Sequence, residues 1–75
     1  MEEYVIYVNQ VEEWQMVNDT ASLDTIFKRA KSKLVGGGTV VLARKNPNGR
    51  IDRFDEITVL EDLEAYRKNV YKLLH

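Results

Sequence analysis

Hydrophobic and polar residues follow two different periods along this chain, and the changes of period mark its elements. Tyr4 to Val8 is a short run of β-branched and aromatic residues that reads as a strand. From Val11 to Val17 the period is two. Trp14 and Met16 share one face, and Val11, Glu13, Gln15 and Val17 share the other. This predicts a second strand, with a hairpin turn at Asn9-Gln10 that lacks the Gly favoured in tight two-residue loops. One long bent strand is the alternative.

The period then lengthens. Leu23, Ile26, Phe27, Ala30 and Leu34 form an apolar stripe at helical spacing. Ser22 is placed to cap this helix, and Asp24 sits in its first turn, where the helix dipole favours negative charge. Gly36-Gly37-Gly38 stops it. Thr39 to Lys45 returns to a strand pattern. Asn46-Pro47-Asn48-Gly49 predicts a type I turn with Gly49 in the left-handed position, and Arg50 to Phe54 forms the return strand. If Asn46 pairs with Arg50, Arg44 faces Asp52 and Leu42 faces Phe54. Val40, Leu42 and Phe54 then share one face, and Val41, Ala43 and Ile51 the other.

Ile57 to Leu60 reads either as a continuing strand or as a helix start, because Thr58 and Glu61 match a capping box. Leu63, Tyr66, Val70, Leu73 and Leu74 mark a closing amphipathic helix. The order is ββαββα. It predicts an α+β domain spanning residues 1–75, a small antiparallel sheet with two helices packed on one face. The expected core is Leu23, Ile26, Phe27, Ala30, Leu34, Val40, Leu42, Phe54, Leu63, Tyr66 and Val70.

Length tightens this picture. A chain of 75 residues buries only roughly 60% of its unfolded surface, so its core is thin. There is no Cys and a single His, the terminal His75. No disulfide, no thiolate metal site and no Ser/His/Asp or Cys/His catalytic set is available, and no cofactor or metal is expected. The opening MEEYVIYV is acidic and then briefly apolar, unlike a secretory leader, and no run approaches the ~18 apolar residues of a membrane span. The expectation is a cytoplasmic protein with no membrane partner.

Charge adds the one functional lead. The total is near neutral, 11 Lys and Arg against 12 Asp and Glu. Its distribution is segregated. Residues 1–27 contain acids and no base, whereas residues 28–53 hold Lys28, Arg29, Lys31, Lys33, Arg44, Lys45, Arg50 and Arg53 against the single acid Asp52. If the helix and hairpin adjoin, these bases form one patch for an anionic partner. Helix-dipole complementation and local ion pairs such as Arg44 with Asp52 explain the same residues without a partner.

Other motifs carry less. Residues 44–55 resemble a calcium loop in outline, but Arg44 stands where the first carboxylate is needed and Asp55 where the closing Glu is needed. The glycine run follows a helix, whereas phosphate loops precede one. The carboxylates of residues 52–64 lie in charged stretches without a predicted cleft.

The sequence therefore predicts a non-enzymatic regulatory or binding protein that docks to a macromolecular partner, as a homo-oligomer. A sheet covered on one side leaves Trp14, Tyr7 or Tyr4 to form an apolar patch on the other. The alternative is an RNA or single-stranded DNA binder, using the eight bases for phosphates and Trp14 for stacking.

Overall fold

Residues 2–74 are described by the computed structural model. The order is β1 (Glu3–Tyr7), α1 (Val8–Met16), α2 (Thr20–Val35), β2 (Thr39–Lys45), β3 (Ile51–Ile57) and α3 (Leu60–Lys72). The fold is α+β, as its sequence predicts, but the order is βααββα. The segment expected as a second strand is helix α1. Val8, Val11 and Trp14 recur at helical spacing, and Gln10, Glu12, Glu13, Gln15 and Met16 are good helix formers. Val8 and Val11 bury this stripe, so the helical period overrides the period-two pattern.

That change alters the sheet. With Asn9 and Gln10 inside α1 instead of in a turn, β1 has no neighbouring hairpin strand. It pairs with β2 in parallel, from Glu3 with Thr39 to Tyr7 with Ala43. The sheet is mixed, in the order β1-β2-β3, with β2 at its centre. Past the end of β1 the Asn9 side chain extends the ladder. Its Nδ2 donates to Lys45 O at 3.2 Å, and its Oδ1 accepts from Lys45 N at 3.1 Å.

α2 starts earlier than the Ser22 cap implies. Asp19 is the cap. Its carboxylate accepts from Ser22 N at 3.1 Å and from Ser22 Oγ at 2.8 Å, and these bonds hold the carboxyl below its ordinary value. Asn18 before it takes the left-handed conformation, φ 58°, which Asn tolerates. At the other end the glycine run stops the helix, with Gly37 left-handed.

The β2–β3 turn forms as its sequence predicts. Gly49 N donates to Asn46 O, Asn46 N to Arg50 O, and Gly49 has φ 88°. Arg44 faces Asp52, but a bulge follows. Leu42 pairs with Asp55 instead of Phe54, leaving Phe54 unpaired and 57% exposed. Phe54 is therefore outside the core. β3 continues to Ile57, and α3 begins at Leu60 without a side-chain cap, so the Thr58 capping box does not form.

The helices cover one face of the sheet. Ile6, Val40, Leu42 and Ile57 meet Val8, Val11, Leu23, Phe27, Ala30, Leu63 and Val70 there. Ile26, Leu34 and Tyr66 pack on this core half-buried. Ile6, Val8, Val11 and Ile57 are core residues that the expected set omits. Phe27 is held between Tyr66 and Tyr71, with ring centroids at 5.6 and 6.0 Å.

Candidate docking site

The uncovered sheet face is the first surface to weigh. Strand alternation puts Glu3, Val5 and Tyr7 of β1 on it, beside Thr39, Val41 and Ala43 of β2. Only Tyr7 of the three expected aromatic residues lies there. Tyr4 and Trp14 pack against the helix-side core, so Tyr7 alone of the expected aromatic residues remains for a patch on this face. Val41 and Ala43 are fully buried although no helix crosses them. Glu3 and Arg53 reach from the outer strands and join at 2.5 Å, diagonally across β2. This face is strapped by charge.

The eight bases do not converge. Lys33 pairs with Glu2 at 2.7 Å, Arg44 with Glu12 at 3.1 Å, Arg50 with Asp52 at 3.1 Å, and Arg53 with Glu3. The expected Arg44–Asp52 pair is replaced, since Glu12 on α1 takes Arg44. Alternation along β2 puts Lys45 on the open face with Arg53, while Arg44 turns to the helix side against α1. Lys28, Arg29 and Lys31 are exposed on α2, and no ion pair engages them among the described residues. Trp14 lies half-buried beside α2, in a shallow hollow with Ile26 and Arg29.

The α2 cations border two grooves of different character. Between α2 and α3, a groove of about 470 Å³ holds Lys28, Lys31 and Arg67, but also Asp24 and Glu64. There Arg67 lies 4.7 Å over the Tyr71 ring, and the Tyr71 hydroxyl donates to Asp24. Burial, and then the bond and charge of Asp24, push the Tyr71 hydroxyl up to about 12. This groove is internally neutralised.

Between α2 and β1 a groove of about 650 Å³ is lined by Tyr4, Thr25, Lys28, Arg29, Ser32 and Lys33. Three of these six side chains are cationic and none is acidic. Of the three, only Lys33 has an ion partner, the Glu2 carboxylate, whose own pKa that contact lowers.

Along this groove runs the free edge of the sheet. Thr39 N donates to Glu2 O, so the backbone groups of even-numbered β1 residues turn towards β2. Those of Glu3 and Val5 turn outward, together with Tyr7 N–H, and no strand faces them. The edge reads Glu-Tyr-Val-Ile-Tyr, with one charge. Sequence reasoning missed it because β1 was paired with the segment that forms α1.

Other chemistry finds no comparable footing. No group of three His, Cys, Asp or Glu that could hold a metal occurs among the described residues. In the turn that resembles a calcium loop in outline, Asn48 Oδ1 accepts from Arg50 N, and Asn46 Nδ2 donates to Asp52. No helix is long and apolar enough to cross a membrane, among the described residues. Comparison of the chain with family models, with curated proteins and with solved structures gives no match.

Proposed function

We propose that this protein is a non-enzymatic docking protein that engages a macromolecular partner through the β1 edge and its α2 flank. One observation carries the reading: an unpaired strand edge with a single charge lies beside the exposed Lys28 and Arg29, which have no ion pair among the described residues. Backbone groups without a strand partner attract one, and cations at the rim favour an anionic one. Nucleic acid is the weaker alternative, because half of the eight bases are held by Glu2, Glu3, Glu12 and Asp52. Photo-crosslinkers at Tyr4, Thr25, Ile51 and Ala65 test the site. In extract of the native cell, adducts with another macromolecule should form at the first two positions. Adducts confined to the last two would refute the reading.

Self-association is a second reading, favoured by Phe54. The bulge leaves its ring exposed beside a groove of about 280 Å³ lined by Val8, Val11, Tyr66, Val70 and Leu73. A protruding ring beside an apolar hollow on one face suits a two-fold contact in which each copy fills the other. Sedimentation at tens of micromolar should then show a dimer that Phe54→Ser dissociates. A monomer at that concentration would remove this second reading and leave the first intact.

A further inference from the structure

We infer that the partner at the β1 edge is an extended acidic segment, which adds to the sheet as a fourth strand with its carboxylates under α2. The inference rests on the docking reading above and specifies what docks.

Geometry supplies the first argument. An added strand would lie roughly 4.8 Å beyond β1 and bond to Glu3, Val5 and Tyr7 N–H. Its side chains would alternate between the two sheet faces. Those on the helix side enter the groove between Tyr4 and α2. Successive helix-side residues on a strand stand about 7 Å apart. Thr25, Lys28 or Arg29, and Ser32 recur along α2 at steps of roughly 5–6 Å. Two carboxylates on alternate residues therefore fall within reach of the hydroxyls and cations already lining the groove. On the other face the added side chains would meet the half-buried Val5 and Tyr7, which suits apolar residues. The recognised pattern is acidic and apolar in strict alternation.

Charge supplies the second argument and excludes the simplest rival. A second copy could pair its own β1 antiparallel about Val5, with the same outward groups satisfied. That dyad would set the two α2 helices side by side on one face of a continuous sheet. Lys28 and Arg29 of each copy would then approach their equivalents, and like charges at such a seam oppose the contact. The same cations that repel a second copy attract an acidic strand.

The opposite edge supplies a control. β3 reads Ile-Asp-Arg-Phe-Asp-Glu-Ile and contains the bulge, two devices that discourage strand addition. Addition should be confined to β1.

The test uses the full chain and a fluorescein-labelled decapeptide of alternating glutamate and valine. Anisotropy should show binding that weakens about tenfold as salt rises from low to several hundred millimolar, because the carboxylates are screened. Amide shifts on labelled protein should concentrate at residues 3–7 and 25–33 and spare residues 51–57. Three variations make the result decisive. The lysine–valine peptide should bind at least about tenfold more weakly, a difference of ~1.4 kcal/mol. The Lys28→Glu/Arg29→Glu protein, altered only at exposed positions, should reverse that preference. An N-methylated glutamate–valine peptide, unable to donate strand hydrogen bonds, should not bind. Equal binding of the glutamate and lysine peptides overturns the acidic partner, and equal binding of the N-methylated peptide overturns the added strand. Either result leaves crosslinking at Tyr4 and Thr25 standing, so docking itself survives. Salt-sensitive binding of an oligothymidylate centred on Lys28, Arg29 and Lys31, with no peptide binding, overturns the inference in favour of nucleic acid.

Discussion

The two edges of this sheet are managed in opposite ways. β3 is exposed along nearly its whole length, carries charges at Asp52, Arg53, Asp55 and Glu56, and is bent by a bulge. β1 is shorter, half-buried, and charged only at Glu3. A strand edge that is left bare needs a reason, since most are blunted by charge, bulge or cover. On β1 the charge sits one layer away, on α2, where Lys28 and Arg29 line the groove beside Tyr4 without covering the backbone edge.

The largest expected effect tests whether the edges also differ in structural weight. Ile6 on β1 is 1% exposed and Phe54 on β3 is 57% exposed. Ile6→Ala should cost about 2–4 kcal/mol, through lost burial and the cavity left behind, whereas Phe54→Ala should cost under ~1 kcal/mol. Urea midpoints measure both. Similar losses would mean that β3 packs more tightly than its exposure implies.

The tyrosines of α3 report on the helix layer that lies between the two edges. Tyr71 meets Asp24 in the groove between α2 and α3, and Tyr66 lies near Glu12 and Arg44 beside Phe54 of β3. Burial, with help from Glu12, pushes the Tyr66 hydroxyl up to about 12. A raised tyrosine pKa means that the folded state holds its proton longer than the unfolded chain. The associated stability is complete below pH 10 and is lost as pH rises towards 12. Both groups are partly solvated, so a fall on the order of 1–2 kcal/mol is expected. Denaturation at successive pH values should show this slope, and Tyr66→Phe should flatten it. A flat profile in the unmodified protein would contradict the burial of both hydroxyls.

Gly49→Ala probes the turn that sets the β3 register. A Cβ there meets nothing within 4 Å, so any cost comes from φ 88° alone. A loss of ~1 kcal/mol is expected. An unchanged midpoint would show that the turn adopts another conformation.

The smallest effect concerns the pair that ties the two edges together. A double-mutant cycle on Glu3→Gln and Arg53→Gln should give a coupling of ~0.5 kcal/mol that fades in high salt, as for other surface pairs. A coupling above about 1.5 kcal/mol would make this strap a main support of the open face.

Legibility in the sequence divides along similar lines. α2, the Asn46–Gly49 turn and α3 are written locally, in a helical stripe, turn residues and an amphipathic tail. α1 is not legible locally because its nine residues satisfy both periods, and packing against the sheet decides between them. A strand at α1 implies a hairpin neighbour for β1 and so hides its bare edge. Phe54 was placed in the core because the bulge has no local signal. The segregated bases were visible, but their partners were not. Glu2, Glu3 and Glu12 reach Lys33, Arg53 and Arg44 only through the parallel pairing of β1 with β2.

That parallel pairing also orders events in time. Every β1–β2 partner is separated by 36 positions, as in Glu3 with Thr39, whereas the β2–β3 hairpin closes over a few residues. Closing the longer loop costs more chain entropy and rewards it later. The hairpin and α2 can assemble first, with β1 arriving as the last strand. Until it arrives, the vacancy beside β2 is open to any extended segment, including β1 of a neighbouring chain. On this ordering β1 is expected to exchange between chains more readily than β2 or β3, because its pairing closes the longest loop.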